Sequence, residues 1–123
     1  HFTMGKEHFL LLHSLDGTCW TYSIEKTKGG IEMTEVSKNT KLEPNIDTAM
    51  VIDYHTGPVL FMYKKQTGTA WFTPLHSDGS LGKAWKKTLW GKDWTDFDYF
   101  KKDDHYYFLK HKEKGETEIY KLK

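Results

Sequence analysis

The chain has little of what staples or anchors a small domain. Its single cysteine, Cys19, excludes both an intramolecular disulfide and a cysteine-based metal cluster. No apolar run approaches the roughly 18 residues that a membrane-spanning helix needs. No stretch sustains the i, i+3, i+4 apolar spacing of an amphipathic helix. We therefore expect one domain in 123 residues, with no membrane span and almost no helix.

A net charge is missing as well. Lys and Arg number 18 against 17 Asp and Glu, so the chain lacks the electrostatic field that captures nucleic acid or an anionic membrane. It also lacks the P-loop, the dinucleotide-binding glycine motif and the Gly-x-Ser-x-Gly nucleophile motif. We therefore expect a protein that is not an enzyme, uses no cofactor and has no nucleic-acid partner. The composition leaves its cellular compartment open.

What the chain does have is a threefold repeat, over residues 1–24, 51–75 and 99–122. Each copy holds an apolar run and then a polar turn that ends in glycine, at Gly17, Gly68 and Gly115. A second strand-like segment closes on an aliphatic residue seven places past that glycine: Ile24, Leu75 and Leu122. The glycines lie 51 and 47 residues apart, a period typical of stacked β-repeats.

Short segments rich in β-branched and aromatic residues, with turn signals about every ten residues, predict an all-β chain of antiparallel four-stranded meanders. We call the strands a to d, where strand b is the apolar run at 9–12, 59–62 and 106–109. Strand a is expected at 46–53 and 94–101, with a remnant at 1–3. Strand c is expected at 18–24, 69–75 and 116–122, and strand d at 31–36 and 83–89. The third copy ends before its strand d. The single domain, 1–123, then divides into repeats 1–45, 46–93 and 94–123.

Two closed architectures use such repeats. One is a β-propeller, whose four to eight blades exceed the repeats present, so that closure requires oligomerisation. A neighbouring chain's N-terminal segment is one candidate to complete the third repeat, because an unpaired strand edge recruits partners. The other architecture is a β-trefoil-like barrel closed within one chain. We expect the propeller-like form, and hence a homo-oligomer.

One segment carries a family resemblance. Residues 89–97 read Leu-Trp-Gly-Lys-Asp-Trp-Thr-Asp-Phe. This segment resembles the Gly-Gly-Trp-x-x-Phe blade opening of tachylectin-type five-bladed propeller lectins, with Trp94 and Phe97 as the matching pair. The equivalent residues of the preceding repeat are Ile46 and Ala49. The resemblance implies propeller blades and binding of N-acetylhexosamine-containing glycans between blades.

The sixteen-residue stretch 85–100 around this segment is the strongest candidate site, because indole faces stack on sugar rings and carboxylates accept hydrogen bonds from hydroxyls. It is crowded with Trp85, Trp90, Trp94, Phe97, Tyr99 and Phe100. We predict a carbohydrate-binding, lectin-like module. Trp90 and Trp94 would stack on the sugar, Asp93 and Asp96 would bind its hydroxyls, and Lys92 would complete a polar rim.

Other interpretations stay open. The same rings can be packing anchors, and the chain can be a protein-interaction scaffold that binds another polypeptide through them. A glycoside hydrolase would need two carboxyl groups across a cleft, for which Asp96 and Asp98 are the candidates, but we expect no activity. The seven histidines show no His-x-His or His-x-x-x-His pair, so we expect no metal site.

Overall fold

The structure, a computed structural model, describes residues 2–4, 7–39, 44–54, 57–83 and 86–122. These residues form strands and turns and contain no helix. The strands are β1 Phe2–Met4, β2 Glu7–His13, β3 Cys19–Thr27, β4 Gly30–Asn39, β5 Thr48–Tyr54, β6 Gly57–Lys64, β7 Thr69–Pro74, β8 Lys86–Leu89, β9 Asp96–Lys102, β10 His105–His111 and β11 Thr117–Leu122.

The strands form three antiparallel sheets, and in each sheet neighbours in sequence are neighbours in space. Sheet 1 has the order β1-β2-β3-β4, sheet 2 the order β5-β6-β7-β8, and sheet 3 the order β9-β10-β11. The predicted all-β, antiparallel meander is confirmed. Strand β4 is longer than the predicted 31–36, and β8 is shorter than the predicted 83–89.

The three glycines end the turns between the second and third strands of the sheets. Gly17, Gly68 and Gly115 have φ angles of 92°, 77° and 92°, which favour glycine because a side chain is strained there. In sheet 1 the turn is reinforced by Asp16, whose carboxylate accepts hydrogen bonds from the Ser14 hydroxyl and the Thr18 N–H. These hydrogen bonds lower the pKa of Asp16.

The turn of sheet 2 is one residue shorter than the other two. Lys64 pairs with Thr69 across it, whereas His13 pairs with Cys19 in sheet 1 and His111 with Thr117 in sheet 3. Side chains alternate between the two faces of a strand. A residue of β6 at a given distance from the turn glycine therefore faces the opposite way from its counterparts in β2 and β10. The strands after the turn, β3, β7 and β11, do not show this shift.

Sheet 1 lies against sheet 2 with one face only. Phe2 and Phe9 pack with Leu75, which follows β7, and Leu11 packs with Leu60 and Met62 of β6. The turn at Gly79 also approaches this face of sheet 1, since a Cβ there would lie 2.8 Å from the Phe9 ring. The opposite face of sheet 1 has no sheet on it among the described residues.

Sheet 2 is covered on both faces, since sheet 3 packs on its other side. Phe61 and Phe108 lie with their ring centroids 4.8 Å apart, as do Tyr54 and Tyr106. The Tyr99 hydroxyl accepts a hydrogen bond of 3.2 Å from the Asp53 N–H. The main core of the protein is therefore the junction between sheets 2 and 3.

The stacking is head to tail. The residue seven places past the turn glycine faces the preceding sheet, because Leu75 packs on sheet 1 and Leu122 packs on sheet 2. Ile24 holds the same place in sheet 1, where no preceding sheet exists among the described residues. Strand β1 pairs with β2 of its own chain from Phe2 to Met4, so in this structure it does not complete the third sheet of a neighbour.

Candidate functional site

The predicted site lies in the connection from β8 to β9, and a buried tyrosine organises it. The Tyr63 hydroxyl donates to the Gly91 carbonyl at 2.7 Å and accepts from the Trp94 N–H at 3.2 Å. The Trp94 Nε1–H donates to the Trp90 carbonyl at 2.8 Å, and the Trp90 N–H donates to Gly68 at 2.8 Å. The segment is thereby hydrogen-bonded to sheet 2 at both ends.

Both indoles are buried inside this arrangement. The exposed fraction is 7% for Trp90 and 2% for Trp94. Trp90 packs among rings of both sheets, with centroid distances of 5.4 Å to Phe61 and 4.9 Å to Tyr120. The prediction that these indoles stand open for sugar stacking is wrong in this structure. They are the packing anchors of the junction between sheets 2 and 3.

The chain's own lysines also occupy the indole faces. The Lys110 Nζ lies 4.8 Å from the Trp90 centroid and 4.7 Å from the Trp94 centroid, and the Lys112 Nζ lies 4.6 Å from the Trp94 centroid. These distances are within the range of cation–π attraction. Lys110 is only 5% exposed, so desolvation lowers its pKa, against the opposing effect of the Glu118 carboxylate 4.0 Å away.

The three predicted polar residues are exposed, and Asp96 lies apart from the adjacent Lys92 and Asp93. Asp96 pairs in register with His111, on the face of sheet 3 that points away from sheet 2. Lys92 and Asp93 remain in the connecting segment, and Asp93 has a φ of 68°. Trp85, the first ring of the predicted aromatic stretch, lies outside the described residues. Trp90, Lys92, Asp93, Trp94 and Asp96 therefore do not converge on one ligand site.

Asp93 does line a cleft. A cavity of about 370 Å³ lies between the turn of sheet 2 and the turn of sheet 3. Its walls are mainly charged: Lys65, Asp93, Thr95, Lys112, Glu113, Lys114 and Glu116. Lys112 and Glu116, both in the turn of sheet 3, form an ion pair of 3.2 Å on one wall of the cleft. This cleft suits a small polar molecule that is held by hydrogen bonds, without a ring to stack on.

The carboxylates considered for hydrolysis lie on an open surface. Asp96 and Asp98 are exposed on the outer face of sheet 3, and Asp98 accepts a hydrogen bond from the Tyr99 N–H. They therefore have no cleft between them to hold a glycosidic bond. Within the described ranges, no group of three His, Cys, Asp or Glu side chains could hold a metal ion.

The outer face of sheet 1, which no described sheet covers, carries several apolar side chains. We call it the first end face. Register places side chains of β2, β3 and β4 together on it: Leu10, Leu12, Trp20, Tyr22, Ile24, Ile31 and Met33. Ile31 is 72% exposed, and Leu12 and Met33 are also exposed. A groove of about 510 Å³ lies at its β3–β4 hairpin end, where Ile24 and Ile31 line it together with His8, Lys26 and Lys28.

The outer face of sheet 3 is the second end face. Register places Phe100, Tyr107, Leu109 and Ile119 on it. Phe100 and Tyr107 stack with their centroids 5.2 Å apart, and Ile119 is 64% exposed. The two ends of the sheet stack thus carry apolar side chains on faces that no described residue of the chain covers.

Two patterns in the sequence indicated that these faces carry apolar residues. The apolar runs in β2 and β10 place apolar residues on both sides of the strand, a pattern typical of doubly covered strands. Trp20, Tyr22 and Ile24 also alternate onto one side of β3. The pattern indicated two covered faces for each sheet, whereas the described residues cover both faces of sheet 2 alone.

Comparisons with models of known protein families, with curated proteins and with solved structures find no match to this chain. Among the described residues, none belongs to a helix with the length and apolarity that crossing a membrane would take.

Proposed function

We propose that this chain is a non-enzymatic interaction module that binds another polypeptide through the end faces of its sheet stack. The observation that carries the proposal is the pair of uncovered end faces, on which apolar side chains lie among charged ones such as Glu35 on the first and Asp98 on the second. Exposed apolar patches of this kind are typical of interaction surfaces. Both faces also belong to sheets whose other side is packed, so each is presented by a preformed support.

The finer architecture belongs to the same proposal. Strand order follows chain order in every sheet, and the sheets stack head to tail, as the blades of a propeller do. A trefoil-like barrel would need strand pairing around a closed circuit. The described strands pair in three separate sheets, which favours the propeller-like form.

A photo-crosslinking amino acid tests where polypeptides bind. It would be placed at Met33 on the first end face, at Ile119 on the second, and at Lys114 in the exposed turn as a matched control. Crosslinks formed in the producing cells would be identified by mass spectrometry. We expect polypeptide adducts from Met33 and Ile119 and few from Lys114. Absence of adducts from both end faces would refute the interaction module.

Carbohydrate binding is the second candidate, favoured by the charged cleft at the junction of sheets 2 and 3. Asp93 and Glu116 would accept hydrogen bonds from sugar hydroxyls, and Lys65 and Lys112 would donate them. This version needs no indole stacking, which agrees with the burial of Trp90 and Trp94. The N-acetylhexosamine preference remains an implication of the lectin resemblance.

Two aspartate variants test this candidate. On a glycan array, followed by titration calorimetry with any glycan that binds, Asp93→Ala should lose most of the binding. Asp96→Ala should retain it, because Asp96 lies on the far face of sheet 3. If the folded wild-type protein bound no glycan, carbohydrate binding would be refuted. If both variants lost glycan binding equally, the cleft would not be the site.

A further inference from the structure

We infer that the two end faces are complementary halves of one contact, and that two copies of this chain dock head to tail into a closed dimer. The inference rests on the proposed function, because it names the partner of the end faces. The second end face of each copy would lie on the first end face of the other.

The chain's own stacking supports this choice of partner. In both internal junctions, the sheet that follows contributes the residue seven places past its turn glycine: Leu75 packs against sheet 1 and Leu122 against sheet 2. Ile24 presents the equivalent position on the first end face. The first end face is therefore the side that elsewhere receives a preceding sheet.

The second end face is the other half of that relation. In sheets 1 and 2, the side facing the next sheet carries apolar residues of the central strands, such as Phe9 and Leu11 or Val59 and Phe61. Tyr107 and Leu109 form the corresponding side of sheet 3. A sheet 3 placed before a sheet 1 repeats the internal junctions, whereas two identical faces placed together do not.

Ring closure sets the number of copies. Propellers close with four to eight four-stranded sheets. One copy has three sheets among the described residues and two copies have six, whereas three copies would have nine. A head-to-tail pair that closes at six sheets satisfies both end faces of both chains, as a closed point-group assembly requires.

The area available indicates that both contacts are needed. Three strands of seven residues, at about 4.8 Å spacing and about 3.3 Å rise, present roughly 300 Å² in projection. Two such contacts bring the area for each copy toward the ~800 Å² of a standard interface, and one alone stays well below it. A pair joined at one contact should therefore bind more weakly than the closed dimer.

Light scattering across a dilution series of the wild-type protein measures the copy number directly. We expect twice the chain mass of 14.5 kDa at high concentration. A chain that stays monomeric up to millimolar concentration would overturn the inference. If its end faces still crosslink to foreign polypeptides, the interaction module survives and only the partner is wrong.

Paired variants test the head-to-tail geometry. Ile31→Glu with Met33→Glu blocks the first end face, and Phe100→Glu with Ile119→Glu blocks the second. Each variant alone should be monomeric, and an equimolar mixture should form a 1:1 pair that dissociates at least ten times more readily than the wild-type dimer. Gln66→Glu, in the exposed turn of sheet 2, should dimerise like the wild type.

The contrary results are equally specific. If the variant with a blocked first end face still dimerises alone, the contact joins two identical faces and the head-to-tail inference is wrong. Mixing that restores no pair would also refute it, provided that circular dichroism shows both variants folded. Should either variant fail to fold, the wild-type dilution series decides.

Discussion

The junction between sheets 2 and 3 and the junction between sheets 1 and 2 differ in what holds them together. The first contains an aromatic cluster around Phe61, Trp90 and Phe108, with hydrogen bonds from sheet to sheet. The second rests on fewer apolar side chains, in one cluster around Phe9 and Leu75 and another around Leu60 and Met62. Cohesion is therefore concentrated on one side of sheet 2, because that side carries most of the rings.

Unsatisfied polar atoms do not distinguish the two junctions. The Thr21 Oγ1 in sheet 1 and the Trp90 Nε1 between sheets 2 and 3 are both buried without a hydrogen-bond partner among the described residues. Each such atom costs stability. Cys19 is buried on the same face of sheet 1 as Thr21, and desolvation raises the pKa of its thiol to about 11. Sheet 1 is the more weakly held end of the stack because its junction contains fewer rings.

The largest effect should come from removing a ring at the stronger junction. Trp94→Ala should lower the free energy of unfolding by about 3–5 kcal/mol, because it leaves a cavity in the main core. Trp20→Ala is the matched control, because Trp20 is only half-buried on the first end face. It should lower the free energy of unfolding by less than half as much. Urea denaturation of the two variants at low protein concentration measures the difference. Equal losses would show that the two regions do not differ as described.

A smaller loss is expected where two backbones approach closely. A Cβ at Gly68 would lie 2.5 Å from the Gly91 carbonyl carbon, whereas one at Gly115 would meet nothing within 4 Å. Both glycines have positive φ, so both alanine variants carry backbone strain of about 1–2 kcal/mol. Gly68→Ala should cost about 1–3 kcal/mol more, as overpacking does. Similar melting temperatures for the two variants would contradict the close approach.

The next effect isolates the hydroxyl that joins sheet 2 to the connecting segment. Tyr63→Phe keeps the ring but leaves the Trp94 N–H and the Gly91 carbonyl without this partner, so we expect a loss of about 1–3 kcal/mol. Tyr107→Phe, on the second end face, should change stability by no more than about 0.5 kcal/mol. Chemical denaturation of both variants checks the contrast. If Tyr63→Phe left the free energy of unfolding unchanged, the Tyr63 hydroxyl would not stabilise this junction.

The smallest effect is a pH dependence at the same junction. Burial lowers the pKa of Lys110, so between its folded pKa and 10.5 the unfolded chain binds more protons, and stability rises with pH. Burial also raises the pKa of Cys19 from 9.0 to about 11 and that of Tyr63 above its usual 10, so both groups make stability fall as the pH rises above 9. Lys110→Met should therefore flatten the rise below pH 9 in denaturation curves taken from pH 7 upward. An identical slope in the variant would exclude Lys110 as its origin.

The local features could be predicted from the sequence because neighbouring residues decide them. The turns at Gly17, Gly68 and Gly115 follow from glycine's freedom at positive φ. The alternation of Trp20, Tyr22 and Ile24 follows from the pleat of a strand. The one-residue difference in the Gly68 turn was harder to predict, because a glycine ends all three turns and only the strand pairing reveals the register.

The exposure of the candidate site could not be predicted in the same way. A tryptophan beside a flexible glycine in a connecting segment is compatible with either a binding site or a core anchor. The residues that bury Trp94 are distant from it in the sequence. Tyr63 is 31 residues away, and Lys110 lies in β10 of sheet 3. Asp93 and Asp96, three residues apart, were separated by the start of β9.

The sequence by itself determined the strands, the hairpins and the repeated order in which they follow one another, because these depend on backbone preferences and side-chain alternation over a few residues. Tertiary structure alone decided which faces are covered, and so buried Trp90 and Trp94 while leaving Ile31 and Ile119 exposed. The physical reason is that burial depends on which sheet stacks on which, through contacts between residues far apart in the chain.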